Sequence, residues 1–281
     1  MLIPVRNMAR LLDEQLAALG DQTYEGAWEL VVVDNGSDDD VAGVVDAHRP
    51  RLPRTTLVRH EPPGVGGALR AGAAEARSDA FVLLDADDVV ATDYLAVMAD
   101  ALTRHEFVAG RLDTTRLNPA WLHEARAVPQ AHGLYDRDGV LTWAQGCALA
   151  VRREALERAG GFPQRHTDGV DVDLCAELQR AGALLTFVPD AVVHYRLRSR
   201  SSEMLTQFYG YGRSSVRHFA EYRELGLRRP VPWRLPLRWL RLVMLTPVAL
   251  FDRRRRVRWL GDVGLSLGML RESLALRVWH P

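Results

Sequence analysis

Three features of the sequence predict an α/β fold, with a mixed, mostly parallel sheet flanked by helices and a helical extension at the end. Short apolar runs of strand length alternate with amphipathic helical stretches over the first 110 residues, the pattern of successive βαβ units. Polar residues follow those runs at once, as they do where a parallel sheet offers its strand ends to a ligand. Beyond residue 201 the chain turns helical and rich in arginine.

The apolar runs are LIPV at 2–5, LVVV at 30–33, TLV at 56–58, FVLL at 81–84 and FVAG at 107–110. Between them, MARLLDEQLAAL puts Leu12, Leu16 and Leu19 on one helical face. TDYLAVMADAL reads as a helix capped by Thr92 that buries Leu95, Met98 and Leu102. From about residue 114 the pattern changes to a loop-rich half with WAQGCALAV at 143–151, the helix REALERAG, the stretch 166–182 and VPDAVVHYRLRSR at 188–200, where a partner substrate would be met. In the stretch 166–182 the helix beginning VDVDL turns Leu174, Leu178 and Ala181 inward.

With 281 residues and 47% hydrophobic composition, the chain can bury a large core without staples. Cys147 and Cys175 lack metal-ligand and CxxC spacing and read as small core residues of a reducing compartment. All 36 basic residues are Arg. Lysine Schiff-base chemistry and P-loop phosphate binding are therefore excluded. The zero net charge hides an asymmetry: 21 Arg against 30 acids in residues 1–200, and 15 against 6 in residues 201–281. The opening MLIPVRN has no basic-then-apolar leader, and its very short first strand leaves room for an upstream start.

Four polar clusters fall at the ends of the first four runs: Arg6-Asn7, DNGSDDD at 34–40, EPPGVGG at 61–67 and DADD at 85–88. DNGSDDD reads either as a ligand-binding strand end or as a turn with a helix cap. GVGGALRAG lacks GxGxxG spacing, so a phosphate cradle assisted by Arg70 and close helix-to-sheet packing both fit it. Asp85 and Asp87, read as one extended segment, lie on the same side and suit a hard divalent cation that takes further oxygens from phosphate. In VDVDL, Asp171 and Asp173 lie about 200° apart at ~100° per residue, so one of them at most faces a given cleft. His194 follows an apolar run and reads as a structural histidine or a metal ligand.

PVRN at 4–7, QTY at 22–24, ELVVVDNGSDD at 29–39, LLDADD at 83–88, GCALAVRREALERAGGF at 146–162, DVDLCAELQRAG at 171–182 and VVH at 192–194 come in an order and spacing that resembles family 2 glycosyltransferases of the GT-A fold. The resemblance covers roughly the first 200 residues. It implies a Rossmann-like, mostly parallel sheet and inverting sugar transfer from a nucleoside-diphosphate sugar, with a UDP-sugar as the expected donor. It implies that Pro4, Val5, Arg6, Asn7, Asp34 and Asn35 hold the nucleotide, with Gly64, Arg70, Asp85, Ala86, Asp87 and Gly146 also on the donor. Asp85, Asp87 and His194 are then the ligands of Mg²⁺ or Mn²⁺, and Asp171 is the general base, with Asp168 and Asp173 as alternatives. Val170 stands where the family usually has Glu, and Leu69-Arg70 where many relatives have Arg-Asn. A GT-A-like scaffold without turnover, binding a nucleotide or glycan at the membrane, is the competing class. A sugar nucleotidyltransferase is a weaker alternative, because no basic, glycine-rich loop follows the first strand.

A transferase domain over residues 1–205 and an Arg-rich helical extension over 206–281 are expected. Ten Arg and one acid, Asp252, lie between residues 228 and 258 around LVMLTPVALF. That apolar stretch is too short to span a bilayer, which takes about 20 helical residues. It suits an in-plane contact with an anionic membrane surface, or else a helical lid or dimer surface packed on the domain. The expected acceptor is a glycan or lipid-linked acceptor, and no nucleic acid partner is expected. The expected location is the cytoplasm, on the inner face of the plasma membrane.

Overall fold

The computed structural model describes residues 1–164, 168–228 and 234–278. His166, Thr167 and Arg229, which belong to stretches singled out in the sequence, lie outside the described residues. In chain order the elements are β1 (Leu2–Val5), α1 (Ala9–Gly20), β2 (Leu30–Asp34), α2 (Val41–His48), β3 (Thr55–Arg59), α3 (Val65–Glu75), β4 (Ala80–Leu83) and β5 (Val89–Val90). They continue with α4 (Tyr94–Arg104), β6 (Phe107–Asp113), α5 (Ala120–Ala125), β7 (Tyr135–Arg137), β8 (Leu141–Trp143), β9 (Leu149–Arg152) and α6 (Arg153–Arg158). The last are α7 (Val170–Arg180), β10 (Leu185–His194), α8 (Ser201–Tyr222), α9 (Arg234–Phe251) and α10 (Arg253–Leu276).

Two compact units form: Met1–Arg116, Pro129–Tyr135 and Thr142–Arg196 make the first, and Leu117–Val128, Asp136–Leu141 and Leu197–Pro281 the second. The division expected at 205/206 falls inside α8, whose hydrogen bonds run unbroken from Ser201. Segment 117–128 joins the second unit because the Asn118 side-chain carbonyl accepts the Leu197 N–H at 2.8 Å.

In the first unit an eight-stranded sheet runs in the order β3-β2-β1-β4-β9-β6-β10-β5. β3, β2, β1 and β4 are mutually parallel, β9 is antiparallel to both β4 and β6, and β10 is parallel to β6 and antiparallel to β5. β2 carries Leu30, Val31, Val32 and Val33, all fully buried, the unbroken apolar run of a strand covered on both faces. Asp40 starts α2 by accepting the Gly43 N–H at 2.8 Å.

Leu12, Leu16 and Leu19 of α1 face the core as their spacing requires, and Gln15 is buried beside them. α4 begins at Tyr94 after Asp93, with no side-chain cap, so Thr92 is not its N-cap. α7 buries Leu174 and Leu178, but ends at Arg180, which leaves Ala181 beyond the helix and only half-buried. Phe81 and Phe162 meet edge to face at 5.8 Å in the core.

In the second unit α8 and α10 approach until backbones touch. A Cβ on Gly268 would lie 2.1 Å from the Tyr209 carbonyl oxygen, and one on Gly212 would lie 2.2 Å from that of Leu265. Only glycine admits such contact. Beside it the buried Glu272 accepts Arg217 Nε at 2.7 Å and Arg213 Nε at 3.1 Å. Burial opposes ionisation of Glu272, yet the hydrogen bonds from Arg217 and Arg213 outweigh it and hold its carboxyl below the usual range. Such a group stabilises the fold above its unfolded pKa and loses that contribution as pH falls through the lower folded value. Glu272→Ala is expected to cost about 3 kcal/mol at pH 7, since it removes the buried carboxylate that Arg217 and Arg213 bond. In urea denaturation its deficit against the parent chain should shrink once pH drops below about 4.

Candidate active site

The parallel register brings Val5 opposite Asp34 and Asp34 opposite Arg59, so β1, β2 and β3 end on one rim, with β4 beside β1. There the loops are tied to one another. The Asn7 side-chain carbonyl accepts the Asp38 N–H at 2.8 Å, Asp34 Oδ1 accepts the Ser37 N–H at 2.9 Å, and Asn35 Oδ1 accepts the Gly64 N–H at 2.8 Å. Asn7 holds a left-handed φ of 53°, a conformation asparagine tolerates better than most residues. Pro4 and Asp34 are half-buried, Val5 and Asn35 are buried, and Arg6 and Asn7 are exposed.

The acidic loop differs from the extended segment that its spacing suggested. The chain turns at Ala86-Asp87 to pass from β4 into β5, so Asp85 is exposed while Ala86, Asp87 and Asp88 are buried. Gln15 holds the loop from one side: its amide donates to the Asp85 carbonyl at 3.3 Å and its carbonyl accepts the Val90 N–H at 3.1 Å. Arg196 holds it from the other. Its N–H donates to Asp88 Oδ1 at 2.7 Å, its Nε to the Asp87 carbonyl at 2.8 Å, and its Nη2 to Glu14 Oε2 at 2.5 Å.

Burial, and then the charges of Asp87 and Asp85, push the Asp88 carboxyl well above the usual carboxylate range. Among the described residues its buried Oδ2 has no well-formed hydrogen bond, although the Cys147 thiol interacts with the carboxyl. Ligand atoms of Asp85, Asp88 and Cys147 lie within 4.8 Å of one another. The Cys147 thiol is pushed well above its ordinary value by burial and by Asp88 and Asp85, so it stays protonated. The crowded carboxylate oxygens of this loop fit a hard divalent cation.

The expected ligand set of Asp85, Asp87 and His194 is not the one that converges among the described residues. His194 ends β10 opposite Val89, and its Nδ1 lies 2.7 Å from Asp113 Oδ2. A carboxylate on one ring nitrogen orients the imidazole and leaves Nε2 as the ligating position.

Gly146 stands beside Asp171: a Cβ on Gly146 would lie 3.6 Å from the Asp171 Cβ. Because Cys147 sits among the carboxylates, one dipeptide links Asp171 to the acidic loop. Asp171 is half-buried and its Oδ1 accepts the Val172 N–H at 3.0 Å, whereas Asp173 is buried and Asp168 is half-buried. Val170 packs in the core with Leu174, so the residue before Asp171 faces away from it.

In the glycine-rich stretch Gly66 and Gly72 serve close packing, with added Cβ atoms 2.1 Å from the Pro163 carbonyl oxygen and 2.8 Å from the Val33 side chain. Gly64 remains at the rim. Arg70 does not join it: Nε donates to the Phe162 carbonyl at 2.6 Å and Nη2 to that of Gly160 at 3.2 Å, which commits the guanidinium to a turn. A cleft of about 610 Å³ near Met1, Trp28, Glu29 and Arg152 lies at the opposite, amino ends of β1, β2 and β4.

Residues 1–160, which contain this rim and its acidic loop, match the model of Glycosyl transferase family 2, so the chain belongs to that family. Over 99 residues it is 35% identical to the N-acetylglucosaminyl-diphospho-decaprenol L-rhamnosyltransferase of Mycobacterium tuberculosis, covering 34% of this chain and 30% of that protein's length. It is 25% identical over 244 residues to the succinoglycan biosynthesis protein ExoA of Rhizobium meliloti, covering 83% of this chain and 73% of the relative. Among solved structures it resembles the mannosyltransferase PcManGT of Pyrobaculum calidifontis in complex with GDP-Man and Mn²⁺, with TM-score 0.70, 23% identity, and 96% and 85% of the two chains covered. It also resembles S. aureus TarS 1-349 in complex with UDP-GlcNAc, with TM-score 0.57, 14% identity, and 100% and 92% covered. The fold is GT-A.

Glu14, Gln15, Asp113, Cys147 and Arg196 were not singled out as site residues by sequence. Gln15 carried a signal, as a lone amide on the apolar face of α1. Arg196→Ala should destabilise the first unit by about 1.5–3 kcal/mol, the worth of its charge-assisted bonds. Hydrogen exchange should quicken at Val89 and Val90.

Proposed function

We propose that the protein is an inverting, divalent-metal-dependent glycosyltransferase that moves a sugar from a nucleoside-diphosphate sugar to an acceptor hydroxyl. The observation that carries this reading is the position of Asp171 against Gly146, one residue from the thiol that sits among the acidic-loop carboxylates. A base on one side of the donor and a diphosphate site on the other are what single displacement requires.

The strand-end loops carrying Pro4–Asn7, Asp34 and Asn35 hold the nucleotide. Asp85, the one expected ligand within the cluster that converges, and Asp87 would hold the cation, and His194, whose ring Asp113 orients, is the third candidate. When bound, the cation neutralises charge on the diphosphate. Asp171 accepts the acceptor's hydroxyl proton as that oxygen bonds to the anomeric carbon and the bond to the diphosphate breaks. A base so placed contributes roughly 10²–10⁴ in rate. UDP-sugars are the first donors to test, and PcManGT makes GDP-mannose the second. The named substrate of the mycobacterial relative suggests a lipid-linked acceptor.

Asp171→Asn should lower transfer by roughly 10²-fold or more while donor affinity, measured by calorimetry, is kept. Substantial remaining turnover would remove Asp171 as the base. Asp87→Ala should abolish the Mn²⁺-dependent part of nucleotide binding, and equal affinity with and without Mn²⁺ in the parent chain would overturn the metal site. A thermal-shift panel of UDP, GDP, CDP and dTDP sugars identifies the donor by the largest rise in melting temperature.

A further inference from the structure

α9 is apolar on both faces. Leu242 and Ala249 are buried on one side, and α10 fastens the helix there: Trp259 Nε1 donates to the Leu242 carbonyl at 3.0 Å and Arg256 Nε to that of Ala249 at 3.0 Å. On the opposite side Leu237, Leu240, Val243, Met244, Leu250 and Phe251 are each more than half exposed, Phe251 at 91%. At ~100° per residue these six fall within about 140° of arc. An exposed helix face is ordinarily polar, and a contiguous apolar patch marks an interaction surface.

The charges around this face select its occupant. α9 contains no acidic residue. The exposed Arg241 borders the stripe, and Arg253, Arg254 and Arg255 follow Phe251 after the single acid Asp252 and are exposed. Asp252 accepts the N–H groups of Arg254 and Arg255 as the cap of α10, and its carboxyl is held below the usual range, first by the hydrogen bond from Arg255. Arg254 pairs with Glu124 and Arg253 lies over the Trp121 ring at 3.5 Å, while the side chains of Arg254 and Arg255 stay 57% and 63% exposed. A second copy seated on the stripe would bring arginine against arginine. A surface of anionic headgroups over acyl chains matches both the rim and the stripe. The 18-residue helix does not cross such a surface, since no described helix is long and apolar enough to do so.

We infer that α9 lies in the plane of an anionic membrane, with its Leu237–Phe251 stripe among the acyl chains and the neighbouring arginines on the phosphates. The inference does not rest on the transferase reading, because vesicle binding needs no turnover. The test is flotation of the full chain with phosphatidylglycerol-rich vesicles and with neutral phosphatidylcholine vesicles. The parent chain should float with the former, and less at high salt as the arginine contribution is screened. Met244→Glu/Phe251→Glu should lower binding at least ~10-fold, as removing two apolar anchors implies, with an unchanged melting temperature. Val243→Glu/Leu250→Glu on the same stripe serves if the first pair fails to fold. Equal flotation of parent and variant, or none by either, overturns the inference. So does a parent chain that sediments as a dimer, stays off vesicles and becomes monomeric in the variant, since the stripe would then join two copies.

Discussion

The candidate site depends on holding the end of β10 against the acidic loop, and Arg196 does this with three bonds at once. Its backbone N–H occupies one oxygen of Asp88, its Nε occupies the Asp87 carbonyl, and its Nη2 reaches Glu14 on α1. Around that fastening β5 can pair with β10 over only two residues, Val89 and Val90, and still be placed. His194, two residues before Arg196, comes to the same edge for the same reason. Gln15 closes the loop from α1 with two further bonds. Residues from two distant parts of the chain, α1 and the end of β10, thus fasten the loop from both sides.

That immobilisation works against electrostatics. Burial of Asp88 raises the cost of ionising its carboxyl, and the neighbouring charges of Asp87 and Asp85 raise it further, so the loop holds Asp88 where its surroundings oppose its charge. A protein interior tolerates such crowding where packing over-determines the geometry. The convergence of Asp85, Asp88 and the Cys147 thiol within 4.8 Å is a sign that the loop is shaped for something beyond its own fold.

Much of this was legible in the sequence, and the reasons it was legible are physical. Parallel strands buried on both faces read as apolar runs, so LVVV and FVLL located β2 and β4, and parallel register then obliges their ends to share a rim. The helix faces of α1 and α7 followed from spacing, apart from Ala181, where Gly182 at φ 89° ends the helical path. Illegible features depended on contacts between distant residues. No local rule tells that Arg70 would turn to the Phe162 carbonyl, or that DADD would turn at Ala86 and hide two of its acids. Cys147 reads as a core residue and is one, but its place among carboxylates comes from the pairing of β9 with β4.

The second unit shows the same division between what packing requires and what it does not. α8 and α10 gain close contact through glycines and order it with Glu272 and its arginines, and α9 adds Leu242 and Ala249 to that assembly. Its outer apolar residues add nothing to this core, because they touch solvent. If the unit existed only to cover its own helices, a polar outer face would serve it better, since exposed apolar side chains invite association. Apolar residues on the side that folding does not use, edged by arginines and with the adjoining acid Asp252 engaged as the cap of α10, are understood as a response to an environment the helix meets from outside.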